Sequence, residues 1–391
     1  MSNYFISETK TRSNGLKITI DDNILTEGFT TCASRMLENY NSLFAATAVE
    51  KLLASGAQIA GKTNISEFGL GLLSEDSYFG PVFSPSFKDA LSTGGAAAIA
   101  EGLCDAAVAV DTNGAPRRAA LAEGIYCYKP SYGLISRYGI VAAVSSCEGI
   151  AVSARELDTA APLAGIMMGA DPKDGTLTEK KLSFGGYCVK GKKAALINEY
   201  GEDDILAGAV GQLIKNGCVV KKISMHEVKA AHIAYYTMLC AESCNNLSRF
   251  DGIKYGYRSP RARTLEEIYV MSRSEGFGLN IKKIIMLGSE LLAKDNYEKY
   301  YNKALKIRRV LRNRFDDVFN EYDIVLLPAA SKRCFTINDI KNNPDITLDE
   351  SYYTALANLL GLPSIVTPSG VQILANNMND ECAVNIARCL K

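Results

Sequence analysis

The stretch 91–141 constrains the fold more than any other part of the chain, because it places two glycine-rich turns before runs of small residues. Ser92-Thr93-Gly94-Gly95 opens a predicted helix of small residues, 96–100, and an apolar predicted strand, 106–110, runs into the turn 111–115. Glycine-rich turns before helices leave backbone N–H groups free to hold an anionic oxygen. The pattern therefore predicts a site built on backbone turns inside an α/β protein.

The same stretch resembles the amidase signature family, whose pattern reads GGSSGGS, then GSDTGGSIRxPA, then GLKPTYGRVSRYG. Residues 129–133 and 136–139 match the last block almost letter for letter. Residues 30–38, 241–252 and 272–278 resemble one branch of the family, the A subunit of the glutamyl-tRNA(Gln)/aspartyl-tRNA(Asn) amidotransferase. The resemblance implies an α/β amidase-signature fold, a mixed β-sheet covered by helices on both faces.

The order of predicted elements agrees with that fold. Predicted strands at 150–153, 192–197 and 219–223 alternate with helices, which is typical of a sheet covered by helices. We expect one domain over residues 1–391, with 227–322 as its mainly helical part. Residues 1–14 are polar, and we expect them to form a poorly ordered tail.

Composition limits the possible partners. Lysine plus arginine and aspartate plus glutamate both number 43, so no net charge draws the chain to nucleic acid, and we expect no direct nucleic-acid binding. No apolar run is long enough to span a bilayer, and the first twenty residues contain no signal peptide, so we expect a cytoplasmic protein away from membranes. The eleven scattered cysteines are expected to stay reduced.

The family's chemistry needs a serine that attacks the amide carbonyl, a second serine that passes the proton, and a neutral lysine that accepts it. The resemblance puts Ala115 at the nucleophile position and Asp21 at the lysine position, within GLKITIDDNI. The bridging serine falls on Ser92 if one residue is deleted from the glycine-rich turn, and on Leu91 without that gap. Lys17 lies roughly 13 Å from Asp21 along a strand and cannot substitute. Losing triad members removes most turnover, so we expect no amidase activity.

The turn and the substrate clamp are also altered. Asn113 replaces a glycine of the family pattern, and Pro116 has no N–H to offer an oxyanion. Ile284 falls on an arginine that holds the glutamine carboxylate, and Ser351 falls on the acid that grips its amine, although Asp349 and Glu350 are close in sequence. Glutamine binding is therefore doubtful. The candidate pocket residues are Thr93, Gly94, Asp111, Thr112, Asn113, Gly114, Arg117, Ile284 and Ser351.

Other residues around the turn offer weaker alternatives. Ser92, Thr93 and Thr112 are hydroxyls, but no lysine or histidine is placed to activate them. Asp21, Asp22 and Asp111 could form an acidic pocket for a cation or an amine. A pairing of Asp21 with Arg117 or Arg118 is the interpretation that we favour.

Three further features have ordinary structural interpretations. GAQIAGKT at 56–63 satisfies the phosphate-loop pattern, but a helix precedes it instead of a strand, so we expect no nucleotide site. His226 and His232 are the only histidines, which argues against a zinc site, and we expect no metal or cofactor. Cys104 and Cys127 are expected to pack as small apolar side chains.

Two functions remain open. The favoured one is a catalytically degenerate relative of the A subunit that binds, scaffolds or regulates, with a B- or C-like subunit or a second copy of the chain as partner. The other is an active amidase of the A-subunit type, a glutamine amidohydrolase that supplies ammonia for tRNA-dependent Gln/Asn formation and uses other residues. The charged residues Arg249, Asp251, Arg258 and Glu275 keep the family's letters, which favours a protein interface.

Overall fold

The computed structural model describes residues 3–9, 15–180, 182–186, 188–201 and 204–390. Its strands are β1 (Phe5–Glu8), β2 (Lys17–Asp21), β3 (Gly28–Phe29), β4 (Asn41–Ser42), β5 (Gln58–Thr63), β6 (Ala106–Asp111), β7 (Tyr126–Lys129), β8 (Gly149–Ala154), β9 (Lys193–Ile197), β10 (Val219–Ile223), β11 (Ile324–Pro328), β12 (Ser364–Val366) and β13 (Val371–Ala375). Its α-helices are α1 (Thr47–Ala54), α2 (Gly94–Ala100), α3 (Ala115–Glu123), α4 (Leu157–Met167), α5 (Asp204–Lys215), α6 (Ala231–Asn246), α7 (Leu265–Gly276), α8 (Leu279–Leu292), α9 (Lys294–Tyr297), α10 (Tyr301–Glu321), α11 (Ile337–Asn342), α12 (Ile346–Leu359) and α13 (Asp380–Ala387).

Eleven of these strands form one mixed sheet in the order β1-β5-β2-β6-β8-β7-β12-β13-β11-β9-β10. Strand β2 lies parallel to both β5 and β6, while β6 and β8 are antiparallel. The central strands β6, β11 and β13 are buried along their whole length. Such strands require cover on both faces, which explains why they appear in the sequence as continuous apolar runs.

Helices supply that cover on both faces. Successive residues of a strand point to opposite faces of the sheet. In β11, Ile324 and Leu326 belong to one apolar cluster, which includes α1, α4 and α13, and Val325 and Leu327 belong to another, which includes α6, α8 and α12. The predicted fold, a mixed sheet with helices on both faces, is confirmed.

The beginning of the chain departs from the expected tail. Residues 5–8 form β1, which pairs antiparallel with β5 at the edge of the sheet. The prediction of a poorly ordered tail was therefore wrong for this segment, because its main chain completes the hydrogen bonds of an edge strand and Phe5 packs against a core cluster. Residues 1, 2 and 10–14 lie outside the described part of the chain.

The segment 227–322 is mainly helical, as predicted, and carries α6 to α10. Helix α6 packs against α8, α10 and α12, and their apolar side chains form one buried cluster. The sheet combines strands from both ends of the chain, in keeping with the single domain that we expect. Within the described residues, none of the helices combines the length and the apolar character that a membrane crossing requires.

Candidate functional site

The predicted strand–turn–helix is present at the middle of the sheet. Strand β6 ends at Asp111, and α3 begins at Ala115 after a tight turn. Gly114 has a φ of 80°, and a Cβ there would lie 2.4 Å from Thr354 Cγ2, so the turn needs glycine. Ala115 presents only a methyl group at the first position of the helix, and its residue is 7% exposed. Pro116 follows in the first turn and offers no N–H.

A buried ion pair between Asp111 and Arg117 stabilises this turn. Arg117 Nε lies 2.7 Å from Asp111 Oδ2, and both side chains are fully buried. Asn358 Nδ2 donates to Asp111 Oδ1 at 3.0 Å, and Arg117 Nη1 donates to Gln372 Oε1 at 2.5 Å. Burial alone would raise the pKa of Asp111, but the charge and hydrogen bonds of Arg117 outweigh it, so the pKa lies below its usual value.

These contacts correct the pairing that we favoured from the sequence. Arg117 is paired with Asp111, and Arg118 donates to Asn113 O at 2.5 Å and Leu72 O at 3.2 Å. Neither arginine has Asp21 as its partner, so that prediction was wrong. Asp111 is likewise neutralised by Arg117 and cannot join an acidic pocket.

Asp21 has different neighbours. Its Oδ1 accepts from Thr63 Oγ1 at 2.9 Å, and the backbone N–H of Val110 also donates to the carboxylate. The residue is 6% exposed. Burial raises the pKa of Asp21 to about 7, against the opposing effect of the Thr63 hydrogen bond and the charge of Lys62. A carboxyl group with these contacts does not provide the amine base of the family chemistry.

Lys62 is the buried amine next to the two aspartates, and sequence analysis missed it. Its Nζ donates to the carbonyl oxygen of Ile24, and its charge interacts with Asp22 and Asp21. Asp22 Oδ2 is held by the backbone N–H of Thr31 at 2.9 Å. Burial lowers the pKa of Lys62, and the aspartates oppose that effect. The amine thus donates a hydrogen bond to a carbonyl oxygen and interacts electrostatically with the two carboxylates.

The position of Lys62 in the structure also shows whether the phosphate-loop pattern at 56–63 forms a phosphate loop. Gly61, Lys62 and Thr63 lie inside β5, with Lys62 only 4% exposed. A phosphate loop requires these residues in a turn between a strand and a helix. The expectation of no nucleotide site at 56–63 agrees with this geometry, and the same letters were the signal that could have pointed to the buried amine.

The glycine-rich turn before α2 holds the remaining triad candidates. Ser92 is fully buried, and its Oγ has no hydrogen-bond partner among the described residues. Leu91 belongs to an apolar cluster, and its N–H donates to Phe335 O at 2.6 Å. Thr93 is the N-cap of α2 without a side-chain cap bond, and a Cβ on Gly94 would lie 2.1 Å from Tyr4 O. No described lysine or histidine is hydrogen-bonded to Ser92 Oγ.

Unpaired polar atoms concentrate at this site. Thr112 Oγ1 and both amide atoms of Asn113 are buried without a hydrogen-bond partner in the described chain, like Ser92 Oγ. The carbonyl of Thr112 accepts from Tyr235 OH, a contact that no sequence pattern indicated. Leaving such groups unpaired costs about 1–3 kcal/mol each. The side chains of the turn are thus polar, yet none is joined to a base.

The predicted clamp positions have structural roles. Ile284 is 2% exposed and belongs to the apolar cluster under α6. Ser351 is buried, and its Oγ donates to Leu348 O at 2.6 Å within α12. The neighbouring acids are engaged as well, because Glu350 accepts from the N–H of Ser331 at 3.1 Å and Asp349 accepts from Asn343 Nδ2 at 2.8 Å. None of these groups provides the arginine and free acid that a glutamine clamp requires.

The histidines and cysteines have the ordinary roles expected of them. His226 is exposed and lies 3.0 Å from Glu199, and His232 packs edge-on against Tyr352. Burial raises the pKa of both Cys104 and Cys127 to about 12, so these thiols stay protonated and packed. Among the described residues, no group of three or more His, Cys, Asp or Glu side chains is arranged to hold a metal ion.

The charged residues that keep the family's letters also make bonds within the chain. Arg249 Nε donates to Asn246 O at 2.7 Å, and Arg258 Nε donates to Gly252 O at 2.6 Å. Asp251 accepts from the N–H of Ile253 at 2.8 Å. Glu275 accepts from Tyr257 OH at 2.6 Å and from Arg261 at 2.5 Å. All four residues therefore take part in hydrogen bonds within the folded chain, and their role in a protein interface stays a prediction.

Comparisons with known proteins agree with the fold. The family model described as amidase matches residues 5–381. The A subunit of glutamyl-tRNA(Gln) amidotransferase from Thermotoga maritima is 37% identical over 407 aligned positions, covering 98% of this chain and 85% of that protein. The protein of the same name from Lactobacillus acidophilus is 36% identical over 380 positions, covering 93% and 79%. The crystal structure of the Thermotoga maritima protein superposes with a TM-score of 0.83 at 32% identity, covering 99% of this chain and 87% of that one.

Proposed function

Since the chain belongs to the amidase family, we propose that it is a catalytically degenerate relative of the amidotransferase A subunits and works by binding another protein. Ala115 carries this proposal. It lies where β6 turns into α3, at the position that the resemblance assigns to the family's nucleophilic serine, and a methyl group cannot attack an amide. If this assignment holds, the chain keeps the turn and lacks the nucleophile.

The proton path supports the same conclusion. Asp21 takes the position of the lysine base, and its carboxyl group is bonded to Thr63 and the backbone. Ser92, the candidate bridge, makes no side-chain hydrogen bond with any described residue. A general base must lie within hydrogen-bond reach of the proton it takes. Restoring the nucleophile alone would leave the path without a base.

An active amidase of the A-subunit type is the second candidate, and the names of the relatives favour it. Such an enzyme would have to use a hydroxyl of Ser92, Thr93 or Thr112 and a base not found in the family pattern. Two buried lysines are candidates for such a base. The Nζ of Lys62 is bonded to Ile24 O and interacts with the aspartates, and the Nζ of Lys129 donates to Pro130 O at 3.2 Å and Leu362 O at 3.1 Å. The contacts therefore favour the degenerate protein.

The surface of α7 and α8 supports a protein partner. Large apolar side chains are exposed on both helices, with Leu265 61% and Val270 59% exposed on α7, and Leu279 71% and Met286 73% exposed on α8. Leu279 and Met286 are seven residues apart and share one helix face. A contiguous exposed apolar surface marks an interaction site, and the face of α8 that carries Leu279 and Met286 is the candidate that we propose. The relatives are named as one subunit of an amidotransferase, so a B- or C-like subunit or a second copy of this chain is the partner that we propose.

Two measurements test the proposal. Purified protein should release no ammonia from glutamine above the blank, and a serine-reactive phosphonate should leave Ser92 unlabelled in intact-mass spectra, with a catalytically active relative of the same family as positive control. Turnover that Ser92→Ala abolishes would establish the active enzyme instead.

Co-purification, followed by size-exclusion chromatography with light scattering, tests whether the protein binds a partner. The protein should form a defined complex, and Leu279→Lys with Met286→Lys should weaken it by reducing the apolar contact area. Leu43→Lys, at a residue that is 93% exposed outside this surface, is the matched control. A monodisperse monomer that does not shift on mixing with B- and C-type subunits would contradict the binding role.

A further inference from the structure

A cavity beside α10 has an unusual lining. It has a volume of about 360 Å³ and is formed by Leu305, Arg308, Arg309, Arg312 and Leu360. Three of these five side chains are guanidinium groups, and all three come from two turns of α10. The cavity includes none of the residues of the candidate functional site.

Arg308 is held in place at one side of the cavity. Its Nη2 donates to Ser146 O at 3.1 Å, and its Nη1 donates to Ser146 Oγ at 3.3 Å. Ser146 is itself fixed, because its N–H donates to Glu242 Oε2 on α6 at 3.0 Å. A guanidinium group has five N–H donors, so Arg308 keeps donors beyond these two bonds.

Arg312 is held at the other side. Its Nη1 donates to Leu360 O, at the end of α12, at 3.3 Å, and its Nε lies 3.0 Å from Asp316 Oδ1. Asp316 neutralises this one arginine. The bond to Leu360 O fixes the guanidinium against a helix C-terminus, where a cation is favourable. Arg312 also keeps unused N–H donors.

Arg309 is the third arginine that lines the cavity, and its side chain has no partner in the described chain. It is exposed, and neither an ion pair nor a side-chain hydrogen bond joins it to any described residue. Arg308 likewise has no acidic side chain within ion-pair distance in the described chain. Like charges one turn apart on a helix repel each other. At this cavity Arg309 therefore has no carboxylate partner among the described residues, whereas Glu242 lies across Ser146 from Arg308, since both side chains bind the Ser146 hydroxyl.

We propose that this cavity is a binding site for a phosphate group, carried either by inorganic phosphate or by a small phosphorylated molecule. The planar fork of a guanidinium matches the oxygens of phosphate and can donate to two of them. Arg308 and Arg312 are held by backbone carbonyls before any ligand binds, so less side-chain entropy is lost on binding. The apolar side chains of Leu305 and Leu360 reduce the access of water to the ion. This inference is independent of the proposed loss of catalysis.

Calorimetric titration at constant ionic strength, with the full chain, tests the proposal. Inorganic phosphate and adenosine monophosphate are the two probes, and we expect saturable one-to-one binding of at least one of them. Tighter binding of the nucleotide would assign the phosphate to an organic molecule, and tighter binding of the free ion would assign it to inorganic phosphate. Both results support the site.

The variant Arg309→Gln should raise the dissociation constant about tenfold, as expected for the loss of a charge-assisted hydrogen bond. Arg309 is exposed, so thermal unfolding should be unchanged and should exclude a folding defect. Arg314→Gln removes the same charge from α10 at an exposed residue that lies 3.4 Å from Glu227 and outside the cavity, and should leave binding nearly unchanged. Absence of saturable binding, equal weakening by both variants, or stronger binding of an RNA oligonucleotide than of the mononucleotide would overturn the proposal.

Discussion

Replacing Asp21 by Asn should stabilise the protein at neutral pH, and the gain should disappear in acid. The carboxyl group is 6% exposed and shares one buried amine, that of Lys62, with Asp22. When both carboxyl groups are ionised, one cation faces two anions in a region of low dielectric constant. Burial therefore raises the pKa of Asp21 from 3.8 to about 7.

The sign and the size of this change in the free energy of unfolding follow from proton linkage. An acid whose pKa is raised by folding causes no loss of stability below its unfolded pKa, loses stability as the pH rises between the two values, and shows the full loss above the folded pKa. The interval from 3.8 to about 7 corresponds to about 4 kcal/mol, at 1.36 kcal/mol per pKa unit. Asn cannot ionise, and it keeps an oxygen for the Thr63 hydroxyl. The advantage of Asp21→Asn should therefore grow by about 2–3 kcal/mol between pH 5 and pH 8.

Urea unfolding of both proteins across this pH range measures the effect. The exposed Asp317 on α10 supplies the matched control, since Asp317→Asn removes the same charge without removing a buried group. A stability difference for Asp21→Asn that does not change with pH would refute the reasoning. A loss of stability above pH 7 would show that Asp21 is ionised and paired with Lys62 in the native protein.

Three further outcomes are expected. Ala115→Ser should not produce glutaminase activity in an ammonia-release assay, because the base position is still an aspartate; activity in this single variant would show that a base is present. The triple variant Asp21→Lys, Ala115→Ser and Ile284→Arg should release more ammonia than Ala115→Ser. Its melting temperature should be lower, because Ile284 is buried. Equal rates of ammonia release in the two variants would show that the turn itself cannot support catalysis. Asp111→Asn should reduce the unfolding free energy by about 3–5 kcal/mol in urea titrations, because it leaves the charge of Arg117 buried and unpaired; a change below about 1 kcal/mol would show that this ion pair does not hold the turn.

The fold could be predicted because its signals are local and repeated along the chain. The run 106–110 is apolar, and β6 is buried on both faces. Turn residues such as Gly114 mark positions where only one backbone conformation fits. Segment 5–8 gave no such signal, since an edge strand is defined by main-chain bonds to β5 that do not depend on its side chains.

The site could be predicted only as a set of positions. Sequence letters assign the predicted site positions to Ala115 and Asp21, but the partners of charged groups depend on contacts between distant segments, as with Arg117 and Gln372. Lys62 was missed because the letters at 61–63 were considered only as a phosphate-loop pattern or as ordinary structure, and the contacts that bury the lysine come from a distant segment. The hydrogen-bond partners of the four charged residues thought to favour an interface were likewise not visible in the sequence, and their role in an interface stays a prediction.

The contacts separate residues that maintain the turn from residues whose family role is chemical. Asp111, Gly114 and Arg117 hold the turn through buried bonds and close packing, and each would be needed whether or not an amide is ever cleaved there. Ala115 has no such bond, and a methyl group fits the start of α3 without strain, so the nucleophile can be absent without loss of fold. Asp21 differs from the turn residues and from Ala115, because its burial disfavours the ionised form of its carboxyl group and raises its pKa. The geometry of the turn is therefore evidence for folding, and the prediction of lost catalysis rests on the side chains at the positions that the resemblance assigns, chiefly Asp21 and Ala115.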